Sequence, residues 1–316
     1  AEPIQSSLFF APADARLSMS SPAILVDIDP IALDLGPVQV HWYGVTYLLA
    51  FAAGWWLLRR RAAQPHWPID PVQVGDYLFW IIVGVIAGGR LGYVLFYGLD
   101  RWADDWLFPL KIQDGGMSFH GGLIGVLVAM ALYARQLGIG FLKLGDFTAQ
   151  VVPLGLAFGR IGNFIGGELW GRLSDAPWAM IFPAALDRSF ASQAALEAAW
   201  RAGELDAYAR HPSQLYQAAL EGLLLFALVW IFARRPRPAG AVGGLFLAGY
   251  AVFRCIAELF REPDAHLGFV AFDGLTMGQL LSIPMFFAGV ALMLHAYRRP
   301  DPHGPDRQPP NEGTPP

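Results

Sequence analysis

The chain has 316 residues, of which 55% are hydrophobic and only 15% are charged, and its mean hydropathy is +0.40. Soluble domains carry about 25% charged residues, so this composition argues against a soluble globule and predicts a multi-pass membrane protein. The formal net charge of −4 argues against a nucleic-acid partner. The single cysteine, Cys255, excludes a disulfide framework and any CxxC metal or redox site.

The region before residue 42 contains no apolar stretch long enough to cross a bilayer. Met19 is a candidate natural start, which would make residues 1–18 an added extension. Further along, Asp27, Asp29 and Asp34 alternate with apolar residues. This segment is therefore predicted to lie along the outer face of the membrane rather than to cross it.

Seven apolar segments follow, each near the roughly 20 residues that a helix needs to cross the hydrocarbon core. They comprise residues 42–58, 77–97, 119–134, 147–165, 213–233, 241–260 and 277–297. The stretch between the fourth and fifth segments is too polar to insert, and an amphipathic helix is predicted within it over residues 187–210. We therefore expect an all-α integral membrane protein with about seven transmembrane helices and a small cap outside the membrane.

These segments divide the chain into five parts. Residues 1–41 form the N-terminal extension and interfacial segment, 42–165 the first four helices, and 166–212 the cap. Residues 213–298 form the last three helices, and the Pro-rich residues 299–316 are predicted to be a disordered tail on the inner side.

The basic residues predict the orientation of these helices. Short loops at the ends of alternate spans, together with the C-terminal tail, are rich in arginine and lysine. These residues are Arg59, Arg60, Arg61, Arg135, Lys143, Arg234, Arg235, Arg237, Arg298, Arg299 and Arg307. Because positive charge in short loops marks the inner side, we expect the N-terminus outside and the C-terminus inside.

Three arginines, Arg90, Arg160 and Arg254, fall within predicted spans. Each costs roughly 2.5–3.5 kcal/mol to insert, so an arginine at this depth marks a functional site by default. The alternatives are pairing with a buried carboxylate and snorkelling to the interface. The orientation places all three in the outer half of the membrane. Four further polar residues lie at the same depth: His120, Asn163, Glu168 and Glu258.

The sixth predicted span carries the most regular polar pattern. Tyr250, Arg254, Glu258 and Arg261 recur at spacings of four, four and three residues, which places them on one helical face. One interpretation is a neutralising Arg–Glu pair without further function. The other is a guanidinium held by its carboxylate so that it can meet a phosphate, whose oxygens suit the planar arginine fork.

Glycines four residues apart favour close helix packing. Three such pairs occur: Gly84 with Gly88, Gly121 with Gly125, and Gly155 with Gly159. His120, directly before the second pair, has two interpretations. One is a structural hydrogen-bonding residue, and the other is a general base, which the cations and carboxylates at the same depth favour.

Residues 159–172 read GRIGNFIGGELWGR and closely resemble the signature of the prolipoprotein diacylglyceryl transferases. Similar stretches are HWYG at 41–44, HGGL at 120–123 and HPSQLY at 211–216, so the resemblance extends over nearly the whole membrane region. It implies a multi-pass enzyme of the bacterial cytoplasmic (inner) membrane. Such an enzyme moves the diacylglyceryl group of phosphatidylglycerol to the lipobox cysteine of prolipoprotein signal peptides and releases glycerol phosphate.

The same resemblance implies an active site near the periplasmic leaflet, below a periplasmic cap. Its essential set is Arg160, Asn163, Glu168 and Arg254, followed by Tyr43, His120, Tyr250 and Glu258. Arg160 and Arg254 would bind the lipid phosphate, and His120 is the candidate base, with Glu168 and Glu258 as substitutes. The predicted substrate contacts also include Arg90, Gly121 and Gly122. The chain departs from the signature at Gly166, where the family usually has Asn.

Two other functions are compatible with intramembrane arginines. A transporter for an anionic solute would favour inverted repeats and polar residues through the full membrane depth, and the sequence has neither. A lipid-binding scaffold would not require a histidine beside paired cations. No GxSxG, HExxH or P-loop motif is present, which argues against serine hydrolase, zinc protease and NTPase chemistry. No metal or other cofactor is expected.

Overall fold

The computed structural model describes residues 23–36, 38–262, 269–271 and 275–298. The candidate start at Met19 and the tail predicted to be disordered lie outside these residues. The described helices are α1 (Trp42–Ala62), α2 (Gln73–Tyr97), α3 (Leu99–Asp104), α4 (Phe119–Leu137), α5 (Phe141–Ala149), α6 (Val152–Ile165), α7 (Gln193–Arg201), α8 (Ser213–Gln217), α9 (Leu225–Phe232), α10 (Ala241–Glu258) and α11 (Met277–Arg298). A π-helical segment, Ala218–Leu224, joins α8 to α9.

Short strands form three two-stranded sheets. The strands are β1 (Ile24–Leu25), β2 (Ile31–Asp34), β3 (Gln39–His41), β4 (Met180–Ile181), β5 (Phe269–Ala271) and β6 (Leu275–Thr276). β1 pairs with β4 in parallel, whereas β2 with β3 and β5 with β6 are antiparallel. The protein is therefore mainly helical, as predicted, and its strands lie in the connections.

Among the described residues, five helices are long and apolar enough to cross a membrane. They are α2, α4, the continuous helix Ser213–Phe232, α10 and α11. The pair α5 and α6 makes a sixth if its two halves count as one span. The predicted first span, α1, has 21 residues but does not reach the same apolar character, because tryptophans, tyrosines and three terminal arginines interrupt it. The prediction of a mainly helical protein with several helices able to cross a membrane is confirmed.

The bend between α5 and α6 amounts to 44°. Gln150 occupies the break and is fully buried, and its side-chain amide donates to the carbonyls of Asp146 and Phe147 at 3.3 and 3.2 Å. Pro153 follows in the first turn of α6, where its missing N–H costs no intrahelical hydrogen bond. A side-chain amide therefore satisfies the backbone that the break releases, as a membrane interior requires.

Glycines bring α2 and α4 into backbone contact, as predicted. A Cβ added at Gly125 would lie 2.0 Å from the carbonyl oxygen of Gly84, and one at Gly121 would lie 2.4 Å from that of Gly88. The prediction for Gly155 and Gly159 is wrong, since an added Cβ at either has no neighbour within 4 Å. Spacing alone did not reveal which side of α6 faces a neighbouring helix.

Asp146 on α5 caps the first turn of α10. Its carboxylate accepts the backbone N–H groups of Gly240 and Gly243 at 2.8 and 2.7 Å, and its side chain is buried. These N–H groups have no acceptor within the helix. The buried carboxylate provides the acceptors that water would provide at an exposed helix end. The contact fixes α10, which carries Arg254, relative to α5.

Residues 170–212, together with β1, form a small lobe with its own apolar core. The buried residues of this core are Ala179, Ile181, Leu196, Ala199, Leu205 and Ala209. The predicted amphipathic helix is shorter than expected and comprises α7 and one 3₁₀ turn at Asp206–Tyr208. The N-terminal segment joins this lobe through β1 instead of lying only along the membrane, because Trp200 donates its indole N–H to the carbonyl of Ala23 at 2.7 Å.

The contact between α2 and α4 leads to a stability prediction. Gly125→Ala places a methyl group against the Gly84 carbonyl, so we expect a loss of about 2 kcal/mol, as overpacked sites show. Gly122→Ala is the matched control on the same helix, because its Cβ would meet its nearest neighbours, the Val85 carbonyl and Gly89 Cα, at the ordinary contact distances of 3.6 and 3.9 Å. Thermal unfolding in detergent measures both, and equal melting temperatures for the two variants would contradict the packing argument.

The cap of α10 leads to a second prediction. Asp146→Ala leaves two buried N–H groups without acceptors, for which we expect a loss of about 2–4 kcal/mol. Asp76→Ala is the control, since Asp76 lies in the first turn of α2 but is exposed. That control should lose less than about 1 kcal/mol, the usual size of an exposed charge–dipole interaction. A lower melting temperature for Asp76→Ala than for Asp146→Ala would refute the assignment.

Candidate active site

Arg254 is the centre of a buried charge cluster on α10. Its Nη2 lies 2.9 Å from Oε2 of Glu258, one turn further along the helix, and both residues are buried. The same Glu258 oxygen lies 4.0 Å from Nη1 of Arg261. Tyr250 completes the helical face and interacts electrostatically with Arg254. The structure thus brings together the four residues that the spacing on this span predicted to share a face.

A second carboxylate, Glu221, holds Arg254 from the neighbouring helix, and the sequence analysis did not find it. Glu221 is fully buried, and its Oε1 lies 3.5 Å from Nη1 of Arg254. Gln217, also buried, accepts from the same nitrogen at 3.5 Å. Both lie at or beside the π-helical segment, a distortion that often occurs at functional sites. A carboxylate inside an apolar span was the signal available in the sequence.

Arg160 on α6 belongs to the same cluster. It interacts electrostatically with Glu221, Arg254 and Arg261. Its Nη1 donates to Oδ1 of Asn163 at 3.5 Å, one turn further along α6. The close approach of α6 to the π-helical segment explains this position, because an added Cβ at Gly222 would lie 2.5 Å from that of Ala157. Two of the three predicted intramembrane arginines therefore meet.

Tyr43 reaches the cluster from the first turn of α1. It interacts electrostatically with Arg160 and Glu168, and its hydroxyl lies 3.1 Å from that of Tyr47. Gly162 permits this position, because an added Cβ there would lie 3.0 Å from the Tyr43 ring. About half of the Tyr43 surface is exposed, so its side chain is accessible to a ligand.

The loop after α6 presents Glu168 beside Tyr43. Buried side chains at the start of α8 hold this loop: Ser213 donates to the carbonyl of Leu169 at 2.9 Å, and Gln214 donates to that of Glu168 at 2.6 Å. Leu169 has a φ of 57°, a conformation that is uncommon for a residue other than glycine. The backbone of this loop is therefore constrained, and it fixes the position from which the exposed Glu168 side chain extends.

Gly171, near the end of the signature stretch, packs against two backbone carbonyls. An added Cβ at Gly171 would lie 2.4 Å from the carbonyl of Phe260 and 2.5 Å from that of His211, so only glycine fits there. Burial lowers the pKa of the His211 imidazole below its usual value, and its Nδ1 lies 3.1 Å from the hydroxyl of Tyr216. Gly166, the departure from the signature, has room for a Cβ, which would lie 3.4 Å from the Gly162 carbonyl and 3.7 Å from Oε1 of Glu168.

His120 lies on α4, a helix that carries none of the clustered arginines. It is exposed in the first turn of α4, and its ring packs edge-on against that of Phe119. Within the described part of the chain, no hydrogen bond or ion pair joins it to Arg160 or Arg254. The substrate contacts at Gly121 and Gly122 stay predictions, and an added Cβ at Gly121 would meet Gly88 and Gly92 on α2. Gly121 is a helix-packing residue.

Arg90, a predicted substrate contact, has a structural environment, and its contact with substrate stays a prediction. It is buried on α2. In each hydrogen bond described for its guanidinium, the acceptor is a backbone carbonyl of the loop before α4. The acceptors are the carbonyls of Phe108, Pro109, Lys111, Gly115 and Gly116. The insertion cost of this arginine is therefore met by loop backbone, an arrangement that sequence spacing does not reveal.

Comparison with known proteins agrees with the resemblance found in the sequence. The model of the family described as prolipoprotein diacylglyceryl transferase matches residues 30–295. A protein of Azotobacter vinelandii named phosphatidylglycerol–prolipoprotein diacylglyceryl transferase is 51% identical over 274 residues, which cover 86% of this chain and 96% of the relative. Relatives of the same name from Xanthomonas campestris pv. campestris and Chromohalobacter salexigens are 51% and 50% identical, covering 93% and 94% of their lengths.

The matched region contains α1 to α10, the signature loop and the whole charge cluster. A family match over this length, with identities near one half over most of both chains, identifies the family without reliance on any single motif. The protein belongs to the prolipoprotein diacylglyceryl transferase family.

Proposed function

We propose that this protein transfers the diacylglyceryl group of phosphatidylglycerol to the lipobox cysteine of a prolipoprotein signal peptide. The buried cluster of Arg160, Arg254 and Arg261 with Glu221 and Glu258 is the observation that carries the proposal. A guanidinium in a low-dielectric site binds phosphate oxygens strongly. The names of the relatives support the same substrates. They do not favour the alternative of an anion transporter.

The transfer is a displacement at carbon. The cysteine sulfur attacks the glycerol carbon that bears the phosphate, an S–C bond forms, and the C–O bond to phosphate breaks. The oxygen keeps the electron pair and leaves as glycerol phosphate, and the thiol proton goes to a base. Arg160 and Arg254 hold the phosphate and stabilise the charge that grows on the leaving oxygen.

An in-line displacement separates the two ends of the site. The nucleophile and the leaving oxygen lie on opposite sides of the carbon, so the group that takes the thiol proton does not contact the arginines that hold the phosphate. We retain His120 as the base on this ground. Glu258 is engaged by Arg254 and Arg261, which disfavours it, whereas Glu168, exposed beside Tyr43, is the substitute.

We also propose the membrane arrangement on which this chemistry depends. Counting α1 and the bent α5–α6 pair gives seven spans in the bacterial inner membrane, with the N-terminus outside and the C-terminus inside. The clustered basic residues at the ends of α1, α9 and α11 support this orientation. The charge cluster and the small lobe then lie at the periplasmic leaflet, where the lipid enters sideways between helices and the signal peptide supplies its cysteine.

The phosphate site is tested by thioether formation on a lipobox peptide in membranes that contain phosphatidylglycerol. We expect the wild type to add the mass of diacylglyceryl to the cysteine. Arg160→Ala and Arg254→Ala should each lower kcat/KM by about 100-fold or more, because each removes charge stabilisation of the leaving group. Arg188→Ala, on the exposed surface of the small lobe, is the control. Absence of product with folded wild type, or full activity in both cluster variants, would refute the proposal.

The base is tested by the pH dependence of His120→Asn. Loss of a general base should lower kcat/KM at neutral pH by about 100-fold. The deficit should shrink as the pH approaches the thiol pKa of about 8.5, because thiolate then forms without a base. The deficit of Arg254→Ala should not depend on pH in this way. His295→Asn, exposed at the end of α11, serves as the control. Wild-type activity of His120→Asn at neutral pH would assign the residue a structural role.

A further inference from the structure

A second group of basic side chains lies at the end of α1 opposite to Tyr43. Arg61 is in the last turn of α1 and is only 2% exposed. At 1.5 Å per residue, it lies about 27 Å along the helix from Tyr43. Arg61 interacts electrostatically with Arg234, which follows α9, and the charges of Arg61 and of Lys143 on α5 both act on His66. We call Arg61, His66, Lys143 and Arg234 the basic cluster.

No ion pair joins the basic cluster to a carboxylate in the described part of the chain. Asp146 interacts electrostatically with Lys143, but its two oxygens accept backbone N–H groups at the start of α10. Burial and the charges of Lys143 and Arg61 lower the pKa of the His66 imidazole below its usual value. A buried cation that has no carboxylate requires another partner to offset its lost hydration.

Three buried nitrogen atoms of this region have no hydrogen-bond partner, namely Nε of Arg61, Nε2 of His66 and Nε1 of Trp67. Two other nitrogens of Arg61 have acceptors. Nη2 donates to the carbonyl of Trp230 at 2.8 Å, but Nη1 donates to Oε1 of Gln64 at the long distance of 3.5 Å. A phosphate oxygen binds a guanidinium at about 2.7–2.9 Å, so it can replace the Gln64 amide and also serve the free donors.

The surroundings of the basic cluster favour a lipid over a soluble anion. Arg234 is exposed and Lys143 is partly exposed, so a ligand can reach the cluster from its edge. Nearby on α1, the Arg60 guanidinium lies 3.8 Å from the ring centroid of the exposed Trp56. Tryptophans and arginines at helix ends are typical of the headgroup region of a membrane, and basic pockets between transmembrane helices bind anionic headgroups. A zwitterionic lipid would bring its ammonium group close to Lys143 and Arg234.

We propose that the basic cluster binds the phosphate of one anionic phospholipid, at a site separate from the candidate active site. Arg61 provides buried N–H donors, and Lys143 and Arg234 provide charge at the edge. In the membrane arrangement proposed above, this lipid belongs to the inner leaflet and is not a substrate. Because Arg61 also binds the last turn of α9, the lipid stabilises the contact between α1 and α9. The inference does not depend on the proposed reaction.

The test measures lipid binding without turnover. The full chain in detergent is mixed with phosphatidylinositol, a phosphodiester with one negative charge, or with phosphatidylcholine of the same acyl chains, and native mass spectrometry counts the lipids retained. We expect the wild type to retain phosphatidylinositol more tightly. Lys143→Gln and Arg234→Gln should each weaken its binding about tenfold, as expected for the loss of one charge-assisted hydrogen bond. An excess of inorganic phosphate should not displace the lipid.

Arg59→Gln is the matched control for these variants. It removes the same charge from the same end of α1, but Arg59 is about 200° from Arg61 around the helix and lies over the Trp55 ring. This control should leave the affinity unchanged. Arg160→Ala should also retain the lipid, because it alters only the proposed substrate site. Arg61→Gln should abolish binding, and the two variants at the edge test the site even if this one does not fold.

Four outcomes would overturn the inference. They are equal retention of the two lipids by the wild type, the same affinity in Arg59→Gln as in both edge variants, loss of the lipid in Arg160→Ala, and displacement by inorganic phosphate. The last would assign the basic cluster to a soluble anion. All four leave the proposed function intact, because thioether formation is a separate measurement.

Discussion

The pairing of Arg254 with two buried carboxylates is the constraint on which the rest of the site depends. A guanidinium at this depth is stable only if its charge is compensated, and Glu258 and Glu221 provide that compensation from two different helices. The requirement explains why α10 lies against the π-helical segment, and that segment in turn lies against α6 with Arg160. Charge compensation therefore holds α10 against the π-helical segment, and this packing in turn fixes the positions of Arg254 and Arg160.

Close backbone contacts at small residues make this arrangement possible. Gly222 brings the π-helical segment against α6, and Gly162 brings α6 against Tyr43 on α1. Gly278, in the first turn of α11, lies against the carboxylate of Glu258, which an added Cβ would approach to 2.9 Å. The positive end of the α11 dipole thus faces a carboxylate that already holds two arginines. Packing and electrostatics reinforce one another at the same positions.

Much of the site could be predicted from the sequence, because charged residues in apolar spans are rare and their helical spacing is simple. These patterns predict that Arg254 and Glu258 share one helical face. They also predict that Arg160 and Arg254 lie in the same cluster. Glu221 was not predicted, because it is a single carboxylate in an apolar segment that contains no Lys or Arg. The backbone environment of Arg90 was not predicted either, because loop carbonyls leave no signature in a sequence. The helical character was equally predictable, but the span count was not, since aromatic and basic residues in α1 blur its apolar signal. Gly155 shows that a glycine pair does not reveal which face of a helix it occupies.

The break between α5 and α6 has a consequence for the biogenesis of the protein. The halves have 9 and 14 residues, and neither reaches the roughly 20 that a helix needs to cross the bilayer. The second half also carries Arg160, so its own partitioning into lipid is poor. Contacts with α1 and the π-helical segment retain it in the fold. Integration of this stretch is therefore coupled to the folding of helices that are synthesised later, and a defect in those helices would expose it to quality-control proteolysis.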